Sequence, residues 1–119
     1  MPYVSGARLG SVILGSADPA RLAAWYQAAF APGVAIVDSV LRLRMGALVF
    51  EQREDVGGRA AEPGRIVLNV QVDRFPALEA HLRTLGVEWL RAPEQVPQGF
   101  IGTLLDADGN LVNVIEITG

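Results

Sequence analysis

The sequence predicts an α+β fold: one βαβββ module written twice, its two small sheets pairing around a shared concave pocket. Three observations predict it. Short apolar runs precede two amphipathic helical stretches, and the aspartates at the starts of those stretches, Asp18 and Asp73, stand 55 residues apart. Each helical stretch is followed by short β-like runs. A polar, Gly-rich segment, REDVGGRAAEPGR at 53–65, separates the two series. The 119 residues fit one domain, 1–119, with module one at 1–52, a linker at 53–65 and module two at 66–119.

Residues 12–14 form a short apolar run, read as the first strand. Asp18 can cap the helix that follows, and Pro19 suits its first turn, where a missing N–H costs nothing. Leu22, Trp25, Tyr26 and Ala29 fall at i, i+3, i+4 and i+7 and share one helical face. Ala31-Pro32-Gly33 stops the helix. Strand candidates follow at 34–37, 40–45 and 47–52, and Leu41 and Leu43 alternate with Arg42 and Arg44 as on a strand with one wet face. In module two, 66–72 is a strand with β-branched character and Asp73 stands where Asp18 stood. Phe75, Leu78, Leu82 and Leu85 then line one face of a helix that Gly86 ends. Runs at 87–90, 100–105 and 111–118 supply the remaining strands. Each helix carries a single apolar stripe, so both are expected on the outer, convex side.

Half the residues are hydrophobic, only 19% are charged, and the mean hydropathy is +0.29. In a small chain that surplus fits a generous core, or a cavity lining or subunit interface. The ten Lys and Arg are scattered and the net charge is −3, so the basic stripe that nucleic acid requires is missing. The absence of cysteine excludes disulfides and thiolate metal sites. No apolar run approaches the ~20 residues that span a bilayer. The opening MPYVSGARLG lacks the basic segment and apolar stretch of a secretion signal. A soluble cytoplasmic protein with no membrane partner is expected.

The stretch LDADGNLVNVIEI, 105–117, holds a chain-reversing turn at Asp106 to Asn110 and then a strand that is apolar except at Asn113 and Glu116. Asn113 offers one acceptor and two donors without charge. It can orient an oxygen-bearing ligand or bond a neighbouring backbone group; a buried amide needs a partner either way.

SADPARLAAWYQAAF in the first helix, VQVDRFPALEAHLRTLGVEW in the second and DADGNLVNVIEI at the end resemble the vicinal oxygen chelate superfamily. That superfamily includes glyoxalase I, extradiol dioxygenases and bleomycin-resistance proteins, and the resemblance covers nearly the whole chain. It implies, for metal-dependent members, four side chains (His or Glu, sometimes Gln) on the inner sheet faces, holding a divalent ion that polarises vicinal oxygens of the substrate. The first such position, seven residues before the capping aspartate, is here Ser11. Its counterpart in module two falls at Ile66, and the carboxylate after the terminal turn becomes Asn113. The fourth falls at Val49, Phe50 or Glu51, of which only Glu51 could ligate. An alcohol, a hydrocarbon and an amide are a poor set for a catalytic transition metal. His81, the only histidine, lies at the flank of the second helix's apolar face, pointing away from the pocket. No metal and no cofactor are expected.

Nucleophilic catalysis lacks parts as well, with no cysteine and no serine patterned beside a base. Glu51 is the one weak catalytic candidate: a general base if it faces the pocket, a plain strand carboxylate if it faces solvent. Phe50, Trp89 and Phe100 lie on or beside strands expected to border the concavity, where they would stack on a flat ligand or simply pack the core. Arg42 and Arg44 could meet an anionic ligand or keep a sheet face wet. The resemblance to drug-sequestering members implies a metal-free homodimer that captures a small, largely apolar or planar organic ligand, with antibiotic sequestration as the nearest analogy. The ligand-binding set is Ser11, Phe50, Ile66, Trp89, Phe100 and Asn113. The alternative is a metal-independent isomerase or lyase with Glu51 as base and Asn113 or Ser11 holding an oxygen.

Overall fold

The computed structural model describes residues 5–117. Its elements are β1 (Val12–Ser16), α1 (Pro19–Phe30), β2 (Val40–Leu43), β3 (Gly46–Gln52), β4 (Leu68–Gln71), α2 (Phe75–Thr84), β5 (Glu88–Val96), β6 (Gly99–Leu105) and β7 (Leu111–Ile117). They build two sheets, β1-β3-β2 and β4-β7-β6-β5. In both, the strand before the helix pairs in parallel with the last strand of its module, and the other pairings are antiparallel.

The first module is one strand short of the expected βαβββ. Residues 34–37 make only an isolated bridge, Val37 to Val40. The reason lies in how Val34 is already engaged. Its N–H bonds the Ala31 carbonyl at 3.0 Å, and its own carbonyl accepts from Gln27 Nε2 at 2.7 Å. Neither group is left for a ladder. Strand β2 ends at Leu43 rather than at 45, because Arg44 and Met45 form the turn into Gly46 (φ 118°). Strand β4 begins at Leu68 rather than Ile66. Strand β5 continues past Leu90 to Val96, with irregular register between Trp89 and Glu94. Of the run expected at 111–118, Thr118 lies outside the described residues.

Helix α1 starts as its sequence predicts: Asp18 accepts from Arg21 N at 3.2 Å, and Pro19 opens the first turn. Leu22, Ala23, Tyr26 and Ala29 are buried against Leu41, Leu48 and Phe50. Helix α2 is capped differently, which corrects the expectation for Asp73. Arg74 holds the N-cap position and its side chain caps nothing, while Asp73 pairs with Arg44 at the surface (2.9 Å). The cap comes from another element: Glu116 Oε1 on β7 accepts from Phe75 N at 2.6 Å. A carboxylate there satisfies an orphan N–H and meets the positive end of the helix dipole. This explains why an otherwise apolar strand carries Glu116. The two N-caps, Asp18 and Arg74, stand 56 residues apart.

The modules are tied together on the helix side by the turn between β6 and β7. Asp106 and Asp108 are both buried beside α1. Tyr26 Oη donates to Asp106 Oδ2 at 2.6 Å, and Ser16 Oγ donates to Asp108 Oδ2 at 2.6 Å. Arg21 Nη2 reaches Asp108 Oδ1 at 3.1 Å. The other Asp106 oxygen accepts the N–H groups of Asp108 and Asn110 at 2.8 and 3.0 Å. No buried side-chain polar atom among the described residues is left without a partner, as dense interiors require. Between the helices, His81 Nε2 lies 2.7 Å from the Ala28 carbonyl; a carbonyl only accepts, so this nitrogen carries the hydrogen.

Candidate functional site

Each sheet has a face covered by its helix and an inner face turned away from it. On the helix side lie Val12, Leu14, Leu48 and Phe50 of the first sheet and Leu68, Val70, Leu104, Val112 and Val114 of the second, all in or against the core. Side chains alternate along a strand and register partners share a face. The inner face of the first sheet therefore carries Ile13, Val40, Arg42, Ala47, Val49 and Glu51. That of the second carries Asn69, Gln71, Ile101, Thr103, Leu105, Leu111, Asn113, Ile115 and Ile117.

The strand register fixes which positions correspond between modules. Ile13 pairs with Val49 and Asn69 pairs with Asn113. Ile13 and Asn69 each stand five residues before their N-caps, Asp18 and Arg74, so Val49 is the counterpart of Asn113. Seven residues before the same caps stand Ser11 and Val67. The four equivalent positions are thus Ser11, Val49, Val67 and Asn113. This replaces Ile66 by Val67 and resolves the choice among Val49, Phe50 and Glu51 in favour of Val49. Ile66 lies outside β4 and is 78% exposed. Ser11 and Val67 each stand one residue before a strand, β1 and β4, while Val49 and Asn113 lie within the neighbouring strands β3 and β7.

A hydroxyl, two hydrocarbons and an amide do not fit a catalytic divalent metal. Among the described residues, no three His, Cys, Asp or Glu side chains gather where an ion could be held. Asn113 is half-buried and its Oδ1 accepts from Thr103 Oγ1 at 2.7 Å, across the β6–β7 ladder. Its partner is thus a side chain rather than backbone. Glu51 is exposed, and its Oε2 accepts from Arg53 Nη1 at 2.9 Å. Asp55 takes two further Arg53 bonds, at 2.8 and 2.7 Å. Those bonds hold the Asp55 carboxyl below its ordinary range and raise the Arg53 guanidinium, with Asp55 the larger influence and Glu51 the next.

The aromatic side chains require correction. Phe50, Trp89 and Phe100 lie on the helix side and not on the inner faces. Phe50 packs on Tyr26, with ring centroids 5.8 Å apart, and Phe100 stacks on Phe75 at 5.6 Å. Trp89 pairs in register with buried Leu104 and packs over Gly102, where an added Cβ would come within 2.8 Å of its ring. Phe50 does line a hollow of about 340 Å³ with Pro19, Ala20, Ala23, Ile36 and Ser39, but that hollow opens beside α1. Arg42 is on the inner face of the first sheet, whereas Arg44 is in the turn beyond β2. The polar residues that sequence reasoning passed over are Asn69, Gln71 and Thr103. The signal for the first two was present in LNVQV, where Leu68, Val70 and Val72 alternate with two carboxamides.

Comparison with known proteins agrees with this architecture. The model of the Glyoxalase-like domain family matches residues 11–115. No curated protein matches the chain in sequence. A glyoxalase/bleomycin resistance protein/dioxygenase family enzyme from Burkholderia phytofirmans superposes with a TM-score of 0.73 at 19% identity, covering 94% of this chain and 100% of that one. A glyoxalase-related enzyme from Fulvimarina pelagi gives 0.69 at 21% identity, covering 92% and 87%. Lactoylglutathione lyase from Agrobacterium tumefaciens gives 0.68 at 15%, covering 95% and 96%. At such identities the structural matches speak for the fold alone. With the doubled module, the parallel pairing of first and last strands and a family match over nearly its whole length, the chain belongs to the Glyoxalase-like domain family of the vicinal oxygen chelate superfamily.

Proposed function

We propose that this chain is a metal-free binding protein of its family, a homodimer that captures a small, largely apolar or planar organic molecule on the inner sheet faces. The observation that carries the reading is the composition of the four equivalent positions, Ser11, Val49, Val67 and Asn113, which hold no imidazole and no carboxylate. Above and below Asn113 the inner face is hydrocarbon, Leu111, Ile115, Ile101 and Leu105, and its in-register neighbours Asn69 and Thr103 are uncharged. Such a surface gains by covering an apolar ligand, at roughly 25 cal/mol per Å² removed from water, and has little with which to polarise one. The name of a structural neighbour joins glyoxalase with bleomycin resistance, and capture of an antibiotic is the activity that asks least of these residues. The isomerase or lyase reading has less behind it: Glu51 stands on the inner face and one structural neighbour is a lyase, but the Glu51 carboxylate is exposed and held by Arg53.

Two measurements test this. Elemental analysis of purified protein is expected to find no divalent metal near one equivalent, and zinc, nickel, iron or manganese at stoichiometric level would overturn the metal-free reading. Equilibrium dialysis against planar aromatic compounds and bleomycin-type antibiotics is expected to retain at least one planar compound; retention of none would overturn ligand capture. Exposed apolar side chains on the inner face, Ile13 at 59% and Ile117 at 58%, support a second copy as the cover of this surface.

A further inference from the structure

The inner face of the second sheet carries a line of neutral hydrogen-bonding groups at right angles to its strands. Asn69 on β4 is the register partner of Asn113 on β7, and Asn113 is the register partner of Thr103 on β6. Arg91 on β5 stands at the far end of the same line, but its guanidinium is taken by Glu94. One step along β4, Gln71 adds another carboxamide, beside Ile115. The line is framed by hydrocarbon, with Ile101 and Ile115 on one side and Leu105 and Leu111 on the other.

The hydrogen bonds within the line leave specific groups over. Asn113 Oδ1 accepts the Thr103 hydroxyl, so the Asn113 Nδ2 hydrogens remain to be given. The side chains of Asn69 and Gln71 make no hydrogen bond to any described residue. An unpaired carboxamide presents an N–H beside a C=O in one plane. It is complementary to a ligand edge that itself places a C=O beside an N–H, by two parallel bonds, as Asn and Gln read an adjacent donor and acceptor on a base edge. An anion would find no unengaged cation on this sheet, because Arg91 is paired. A pure hydrocarbon would strip water from three amides and return no bonds, at a cost for each.

We propose that Asn69, Asn113 and Gln71 recognise the edge of a planar, uncharged cyclic amide, with the surrounding Ile and Leu side chains covering its ring. This rests on the ligand-capture reading above and narrows it to a chemical class. Binding forms and breaks no covalent bond, so nothing beyond the three carboxamides and the apolar frame is required.

The test is equilibrium dialysis with three probes of similar size: quinolin-2(1H)-one, which has the amide edge; naphthalene, which has none; and naphthalene-2-carboxylate, which is charged. Two net hydrogen bonds should give quinolinone an affinity about tenfold above naphthalene. Asn69→Ala, at an exposed position that bonds none of the described residues, should remove most of that preference while naphthalene binding stays within about twofold. Asn113→Val, the residue its counterpart Val49 already is, should do the same. Melting curves of both variants establish that they are folded. Equal affinities for quinolinone and naphthalene, tightest binding of the carboxylate, or a preference that survives in the double variant would overturn the inference while leaving ligand capture standing. Retention of none of the three would overturn both.

Discussion

Tyr26 shows how one side chain can serve two ends of the fold. Its ring fills the α1 core beside Phe50, and its hydroxyl reaches Asp106 in the other module. Burial, then the charge and hydrogen bond of Asp106, push the phenol well above its ordinary 10.0. The neutral phenol is therefore favoured by folding. Its contribution is complete below pH 10 and declines as the pH rises beyond that value toward the raised folded-state pKa. In Tyr3→Phe protein, which keeps Tyr26 as its sole tyrosine, phenolate absorbance is expected only together with loss of the circular dichroism signal. Reversible ionisation near pH 10 in folded protein would refute this. Tyr26→Phe, which removes a hydrogen bond to a charged group, should cost about 1.5–3 kcal/mol in urea unfolding. At this scale the sequence was readable for what depends on local spacing. The helical stripe placed Tyr26 correctly, and the family resemblance around the terminal turn implied the inner face for Asn113. It was unreadable where one residue of register decides the face, as with Phe50 and Val49, because a slip of one turns every side chain over. The partnership of Asn113 with Thr103, and of Tyr26 with Asp106, depends on chain segments that meet only in the folded protein.

Among the elements, both helices and all seven strands follow from periodicity, although β1, β2, β4 and β5 differ in their ends. The exception is 34–37, an apolar run of good β character that never becomes a strand. Tertiary hydrogen bonds from α1 and its C-cap claim Val34, and a two-residue turn at Asp38 and Ser39 folds Val37 directly onto Val40. Both turn residues have positive φ, 51° and 64°, as a type I′ turn requires. Aspartate tolerates that region, whereas serine is a poor choice for it. The Ser39 carbonyl accepts from Phe50 N at 2.9 Å, and this backbone bond does not depend on the side chain. Ser39→Gly would create the favoured Asp-Gly pair, and relief of the left-handed serine should outweigh the added freedom of the unfolded chain. An increase in unfolding free energy of about 0.5–1 kcal/mol is expected, read as a higher urea midpoint with unchanged slope. A lower midpoint would mean that the serine hydroxyl contributes more than its backbone costs. The capping of α2 by Glu116 is likewise invisible in sequence, since donor and acceptor lie 41 residues apart.

The whole chain is more open than its length requires. Its radius of gyration is 15.3 Å, against about 13.5 Å for a compact domain of this size. Buried and half-buried polar ties between modules lie on the helix side, through Asp106, Asp108 and His81, with the exposed Arg44–Asp73 pair as a further link, and the inner faces remain uncovered. Ile13 and Ile117 on those faces are more than half exposed, as are Leu9, Val37, Met45, Ile66 and Leu90 outside them. An apolar surface left open by the fold, with Arg53 and Arg91 held by carboxylates beside it and Arg42 the one inner-face arginine without a carboxylate among the described residues, fits a face that another chain covers. The proposed homodimer supplies that cover without demanding any change in the modules themselves. Sedimentation equilibrium at about 100 μM should then give twice the 12.7 kDa chain mass, within the protomer affinities that standard interfaces reach. Ile13→Lys places an unpaired charge on the inner face of β1 but not in the core. It should shift the mass toward the monomer and leave secondary structure unchanged, because Ile13 contributes little to the buried cluster around Leu48 and Phe50. A parent protein that sediments at the single-chain mass across this range would remove the second copy from the account. Capture would then have to occur on one open chain, with the exposed Ile13 and Ile117 left to the ligand alone.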